Sequence, residues 1–323
     1  MPDPHTGSFT STAPFIFSSS YPLPLIAVLV LSLLALPGCD SYSSSDDYSG
    51  SSTVEPVTYP LTAQTNGGGV PNGVDGTVSF IPLSDDQTLV TLELDGGATN
   101  TRVSHPAHIH DNDASTGGPI AFFLTPIDGT GGGGTSAQVI NRSPTFLTDF
   151  DGYVNVHESA TTLSTILSQG NIGTNAEATA AVPLELVSDP RAVEYDLAAQ
   201  PNDGLLPSGV SGTITFREFT EERTLVILKL DRGATGTSVS HVAHIHSGNT
   251  DSGGPIAFHL GPIDGSDAPA NDGVSAKIID RSYEALANYE GYANVHESAS
   301  NLSTIIAQGR IGANADSEDG NSY

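Results

Sequence analysis

The chain lacks several residue types that would each point to a class of structure or partner. Its 323 residues include one cysteine, one methionine and no tryptophan. A single cysteine cannot form a disulfide within the chain, so folds held together by disulfides are excluded. Lys and Arg together number 10 against 37 Asp and Glu, which gives a formal net charge of -27 at pH 7. Because this charge repels phosphate groups, nucleic acid is not expected as a partner.

The same charge indicates the environment in which the protein works. A strongly acidic surface keeps a protein soluble, and halophilic proteins use it in this way. We therefore expect a salt-loving source, with an acidic secreted protein from an ordinary environment as the alternative.

Long helical patterns are also absent from the sequence, and short alternating segments take their place. Apolar and polar residues alternate in segments such as 76–80 and 212–216, as in strands with one buried face. The sequence therefore predicts an all-β fold built from antiparallel sandwiches. One short helix is expected near the end of each repeat, at 163–169 and 302–308, because a glycine follows each segment.

The chain contains two copies of one unit. Residues 73–80 match residues 209–216, and residues 153–159 match residues 292–298. Each unit spans about 120 residues, which is too long for a solenoid repeat and suits an independent domain. The predicted organisation is a signal peptide (1–38), a disordered tether (39–55), a first domain (56–176), a linker (177–191), a second domain (192–315) and a disordered tail (316–323).

An apolar segment near the start of the chain predicts export. Residues 23–36 are almost entirely apolar, and their length is too short for a typical membrane span and suits a signal peptide. The segment leads into Leu-Pro-Gly-Cys at 36–39, which resembles the bacterial lipobox. That resemblance implies cleavage before Cys39, a lipid on this cysteine, and a membrane anchor in the cell envelope. The alternative is an ordinary cleaved signal peptide.

A strand with two histidines on one face occurs once in each repeat. This strand begins Ser-His-x-Ala-His-Ile-His in both copies, at residue 104 and at residue 240. Side chains two positions apart on a strand point to the same side of the sheet. His108 and His110 therefore project together, and so do His244 and His246.

A third histidine, distant in sequence, completes a candidate metal site in each repeat. It lies in a Val-His-Glu motif in both copies. Neutral imidazole suits copper, zinc, nickel and iron, and three convergent histidines are enough for a site. The predicted ligands are His108, His110 and His157 in the first repeat, and His244, His246 and His296 in the second. His105 and His241 are candidate fourth ligands or supporting groups.

The histidines also have a purely structural interpretation. In this alternative they hydrogen-bond to one another and to Glu158 or Glu297, and they fix the edge of the sandwich. His259 stands where the first repeat has Phe123, and it is expected on the surface.

The motifs resemble the CHRD domain, named after chordin. Ala-His-Ile-His, Gly-Pro-Ile-x-x-x-Leu and Gly-Tyr-x-Asn-Val-His occur in this order in both repeats. The resemblance covers both repeats almost end to end and implies an Ig-like β-sandwich that is extracellular or surface-bound. It implies little chemistry, and we expect a non-catalytic binding or adhesion module for a protein or surface ligand that the sequence does not define. Consistent with this, no nucleophile elbow, phosphate loop or pair of catalytic carboxylates stands out.

The histidine pattern resembles, to a lesser extent, that of Cu/Zn superoxide dismutase, which is also a Greek-key sandwich. In that family two copper ligands lie in a His-Val-His strand and another in Val-Val-His-Glu. The resemblance implies copper, or zinc, in each domain and a redox or copper-holding activity as the alternative function. The chain departs from that family because the bridging histidine and the series of zinc ligands are missing between the two histidine blocks. The disulfide of that family is also missing, and these differences argue against dismutase activity.

Overall fold

The computed structural model describes residues 50–65, 73–95, 103–129, 133–201, 209–231, 239–265 and 273–315. The predicted signal peptide, Cys39 and the predicted tail lie outside these residues. Every helix within the described ranges is too short or too polar to cross a membrane.

Strands make up most of the described chain, which confirms the predicted all-β fold. The first eleven are β1 (Ser51–Val54), β2 (Val57–Ala63), β3 (Gly76–Pro82), β4 (Thr88–Leu94), β5 (Ser104–Asp111), β6 (Ile120–Asp128), β7 (Thr135–Ile140), β8 (Asp151–His157), β9 (Ile166–Gly173), β10 (Thr179–Ala180) and β11 (Leu184–Val187). The other ten are β12 (Ala192–Ala199), β13 (Gly212–Thr220), β14 (Arg223–Leu230), β15 (Ser240–His241), β16 (Ala243–Ser247), β17 (Ile256–His259), β18 (Ile263–Asp264), β19 (Val274–Ile279), β20 (Gly291–Ser298) and β21 (Asn301–Ile311). The helical elements are α1 (Pro144–Thr148), α2 (Tyr283–Ala287) and a 3-10 turn (Gly312–Asn314).

Repeat one, residues 56–176, contains two antiparallel sheets. One sheet has the order β2-β3-β4-β7, and the other has the order β6-β5-β8-β9-β2. Apolar side chains from both sheets form one buried cluster that includes Tyr59, Phe80 and Val154. Ala107 and Ile109 of β5 also belong to this cluster. Since side chains alternate along a strand, His108 and His110 of β5 face away from the core.

Repeat two, residues 192–315, has the same arrangement. Its sheets have the orders β12-β13-β14-β19 and β17-β16-β20-β21-β12. Ala243 and Ile245 of β16 join the buried cluster of this repeat, as their counterparts do in repeat one. The Ig-like and Greek-key details of the expected sandwiches stay predictions.

The two repeats meet through equivalent strands. Ala137 of β7 pairs with Ala276 of β19 in antiparallel register, and the two alanines occupy the same place in their repeats. A third apolar cluster lies at this junction, formed by Ile81, Leu89, Ala137, Leu186, Phe219, Leu225 and Ala276. The junction thus brings side chains of one repeat against those of the other.

The predicted positions of the short helices are wrong. Residues 302–308 lie within β21, and residues 166–169 of the first predicted helix belong to β9. The glycine after each segment lies within a strand and therefore does not cap a helix. A Cβ at Gly170 would lie 2.2 Å from the Pro60 carbonyl oxygen. At Gly309 a Cβ would lie 2.1 Å from the Asp196 carbonyl oxygen. Glycine therefore permits the close approach of neighbouring strands.

The helices occur earlier in each repeat, before β8 and β20. In both, a serine caps the N-terminus: Ser143 accepts a hydrogen bond from the Phe146 N–H, and Ser282 accepts one from the Ala285 N–H. A side-chain oxygen at this position satisfies an otherwise unpaired backbone donor. The capping serines are visible in the sequence. Each helix has only five residues, however, and shows no repeated apolar stripe, so the sequence did not predict it.

The boundaries expected for the tether and the linker also need correction. Strand β1 falls within the predicted tether, and it pairs with β11, which falls within the predicted linker. Strand β10, also in the linker, pairs with β2. Residues 51–54 are therefore not disordered, and the linker adds strands to the fold.

Candidate metal centres

Three histidines of repeat one converge on the sheet face that points away from the core. His108 and His110 lie on β5, and His157 ends the neighbouring strand β8. Ring nitrogens, one from each side chain, all lie within 4.8 Å of one another. The structure thus brings together the three residues that the sequence predicted to converge, here called trio one.

Hydrogen bonds orient two of these rings. His110 Nδ1 lies 3.0 Å from the Gly118 carbonyl oxygen, and His157 Nδ1 lies 2.6 Å from that of Leu163. A carbonyl oxygen can only accept, so each Nδ1 carries the proton and each Nε2 keeps a lone pair. Such a backbone contact is the usual way in which a protein fixes the orientation of a metal-binding imidazole.

The trio one rings are buried and neutral. The exposed fractions of His108, His110 and His157 are 3%, 9% and 5%. Burial, followed by the nearby His157 and His110, lowers the pKa of His108 to about 3. Burial also lowers the pKa of His157 to about 4. At neutral pH these rings therefore present lone pairs rather than positive charges, as metal ligation requires.

Repeat two builds the same arrangement from trio two, which consists of His244, His246 and His296. His246 Nδ1 lies 3.0 Å from the Gly254 carbonyl oxygen, and His296 Nδ1 lies 2.7 Å from that of Leu302. Burial, then the neighbouring His296, lowers the pKa of His244 to about 3. Burial lowers the pKa of His296 to about 4.

Several ring nitrogens of the trios lack a hydrogen-bond partner within the described residues. They are His110 Nε2, both nitrogens of His244, His246 Nε2 and His296 Nε2. Buried polar atoms are nearly always hydrogen-bonded, so a cluster of orphaned nitrogens calls for a ligand. In trio one, His108 Nδ1 and His157 Nε2 lie 3.1 Å apart and partner each other. These residues fit a metal ion: each trio offers one imidazole nitrogen per ring and contains no competing charge.

A tyrosine supports the second histidine of each pair. His110 stacks on Tyr153 with ring centroids 4.9 Å apart, and His246 stacks on Tyr292 at 5.0 Å. The Tyr153 hydroxyl oxygen also accepts a hydrogen bond from the Gly118 N–H at 3.2 Å. The tyrosine thus fixes the ring and the turn that binds its Nδ1.

His105 and His241 lie outside the trios. His105 Nδ1 is 2.6 Å from the Glu158 carbonyl oxygen, and His241 Nδ1 is 2.6 Å from that of Glu297. Each histidine therefore holds the backbone just after the third trio member. This geometry favours a supporting role over a fourth ligand. These bonds to Glu158 and Glu297 agree with the structural alternative, and in each the acceptor is the backbone carbonyl oxygen.

His259 is partly exposed, and it makes contacts that the sequence did not predict. Its side chain is 31% exposed, and its ring lies 4.8 Å from the ring of His244, measured between centroids. Its Nδ1 lies 3.3 Å from Oδ2 of Asp128, which belongs to repeat one. Comparison of the repeats concealed this residue, because Phe123 takes its place in the first. Asp128 lies in a Pro-Ile-Asp-Gly sequence that recurs at residues 262–265, but this recurrence does not indicate that Asp128 meets His259.

Comparison with models of protein families, with curated proteins and with solved structures finds no match to this chain. The resemblances to CHRD domains and to Cu/Zn superoxide dismutase therefore rest on the quoted motifs. The case for metal binding rests on the geometry of the trios.

Acid should destabilise the metal-free protein. Two histidines of each trio stay neutral when folded, because burial lowers their pKa values to about 3 or 4, whereas a histidine of the unfolded chain titrates near 6.5. They are His108, His157, His244 and His296. The unfolded chain therefore binds more protons below about pH 6.5, so stability falls as the pH falls towards the folded pKa. We expect a melting temperature that decreases steadily from pH 7 to pH 4.

Carboxylates that are paired in the folded protein also make stability fall as the pH falls. A variant is therefore needed to separate the contribution of the histidines. A His108→Phe/His244→Phe protein should show a shallower decrease over the same pH range, with differential scanning calorimetry as the measurement. Identical slopes for the two proteins would show that these histidines do not titrate on unfolding.

Proposed function

We propose that the chain is a metal-binding protein that holds one copper or zinc ion in each repeat. The observation that carries this proposal is the set of buried, partnerless ring nitrogens in trio two. Three imidazole nitrogens suit either metal. A bound ion in each trio would coordinate the ring nitrogens. It would link β5 to the end of β8 in repeat one, and β16 to β20 in repeat two.

The proposed role is non-catalytic: an exported, lipid-anchored binding or adhesion module of the cell envelope, with two CHRD-type domains stabilised by metal. Burial supports this role, because the trio one ligands are at most 9% exposed and leave little room for a substrate. The alternative is a copper protein with redox or copper-holding activity. It is favoured by the three-histidine ligand set, which would leave a further coordination position on the metal. Copper-dependent redox activity of the loaded protein, measured against free copper, distinguishes a redox role from the non-catalytic one, and selective tight binding of copper over zinc distinguishes copper holding.

Metal analysis tests the proposal directly. We expect protein purified without chelators to contain copper or zinc by mass spectrometry. His110→Asn should remove one ion per chain from the total, His246→Asn should remove another, and the double variant should lose both. Each single variant is the control for the other, because the second repeat keeps its trio. A metal content that the double variant leaves unchanged would overturn the proposal.

The lipid anchor is tested separately. Cys39→Ala should abolish lipid attachment, because no other cysteine is present to carry it. Expressed in a bacterium that processes lipoproteins, the wild type should fractionate with membranes and the variant should not. The same distribution for both proteins would contradict the anchor and favour an ordinary signal peptide.

A further inference from the structure

A further cluster of possible metal ligands, which includes a carboxylate, lies across the junction of the repeats. Asp128 at the end of β6 in repeat one meets His244 and His259 of repeat two, and one donor atom from each lies within 4.8 Å of the others. His244 and His259 face each other on the paired strands β16 and β17. We propose that these three residues bind an additional divalent ion, of the zinc class, between the repeats.

His244 offers one more donor than trio two can use. Both of its ring nitrogens are buried without a hydrogen-bond partner in the described part of the chain. One imidazole cannot direct both nitrogens at a single ion, because the two lone pairs diverge in the ring plane. In trio one, the equivalent His108 directs Nδ1 at its trio. By analogy, His244 Nε2 serves the site between the repeats, and the ring loses its N–H proton to solvent when both ions bind.

The carboxylate of Asp128 supplies the negative charge for this site. Its side chain is 1% exposed and already interacts with other groups of the described chain, so a bound cation would be one of several groups that compensate its charge. Asp128 also acts electrostatically on Lys277, whose pKa burial lowers to about 8. The competing explanation is therefore an ion-pair network in which Asp128 contacts His259 and acts electrostatically on Lys277 and His105. That network leaves both nitrogens of His244 unsatisfied, whereas a metal ion satisfies one of them.

The first repeat cannot form the same site. Phe123 stands in place of His259, and its ring packs against His108 with a centroid distance of 4.8 Å, the same as that between His259 and His244. A phenyl ring packs in this position but cannot bind a metal. The site therefore occurs once, and the chain should bind three zinc ions in total.

The proposal shares His244 with the proposed function, so the experiment must separate the two. Zinc is added to chelator-stripped full-length protein, excess is removed by gel filtration, and bound zinc is counted. We expect three ions in the wild type and two in His259→Phe, which installs the residue that repeat one already accommodates. Asp128→Asn should also bind two, and the His110→Asn/His246→Asn protein should keep one.

The outcomes distinguish the two ideas. If His259→Phe and Asp128→Asn bind as much zinc as the wild type, the site between the repeats is wrong and the ion-pair network stands. If those two variants each lose one ion while His110→Asn/His246→Asn loses none, the additional site holds and the trios fail. Circular dichroism of each variant confirms that a lost ion is not a lost fold.

Discussion

Removing bound metal should lower the melting temperature by on the order of 10 °C for each ion lost. An ion that binds the folded chain alone stabilises it by about 4.1 kcal/mol at a free concentration 1,000 times its Kd. Each kcal/mol shifts the melting temperature by about 2–4 °C in domains of roughly 150–250 residues and by more in smaller ones. The decrease in melting temperature should be large here, because the ion coordinates buried ring nitrogens that otherwise lack a partner. Calorimetry with and without a chelator measures it.

A metal-free variant provides the control for the chelator itself. In His110→Asn/His246→Asn the trios are incomplete, so the chelator should shift the melting temperature much less than in the wild type. Addition of zinc or copper to the stripped wild type should restore the original value. A melting temperature that neither removal nor addition changes would show that any bound ion contributes nothing to the folded state.

The sequence was informative wherever a short-range pattern controls the geometry. The alternation of histidines with other residues along one strand predicted that His108 and His110 project together. The structure adds that Ala107 and Ile109 occupy the opposite, core face. The recurrence of the Val-His-Glu motif predicted that His157 would join them. These relations depend only on the period of a strand and on the pairing of β5 with β8.

Other features depend on contacts between distant segments, and the sequence did not reveal them. Gly170 and Gly309 looked like helix caps, because a glycine that permits close strand approach cannot be told from one that ends a helix. The meeting of Asp128 with His259 depends on how the repeats pack at β7 and β19. No pattern within a single repeat encodes that packing, which is why the site between the repeats was missed.

Replacing His244 with phenylalanine should stabilise the metal-free protein while it abolishes the metal sites of repeat two. Each buried polar group without a partner costs about 1–3 kcal/mol, and both ring nitrogens of His244 are in this state. A phenyl ring of similar shape removes that cost. We therefore expect His244→Phe to unfold at a higher urea concentration than the wild type when both are metal-free, and at a lower one when zinc is present.

The matched variant in repeat one should behave differently. His108 Nδ1 is hydrogen-bonded to His157 Nε2, so His108→Phe leaves a buried nitrogen of His157 unpaired and should give a smaller gain or a loss. His244→Leu provides a second replacement without the larger ring, in case phenylalanine overfills the site. A residue that serves only to hold the fold together should cost stability when it is replaced. If both replacements of His244 destabilise the metal-free protein as much as His108→Phe does, the histidines are structural. If they stabilise it, the protein retains His244 at a cost in stability that only the bound metal offsets.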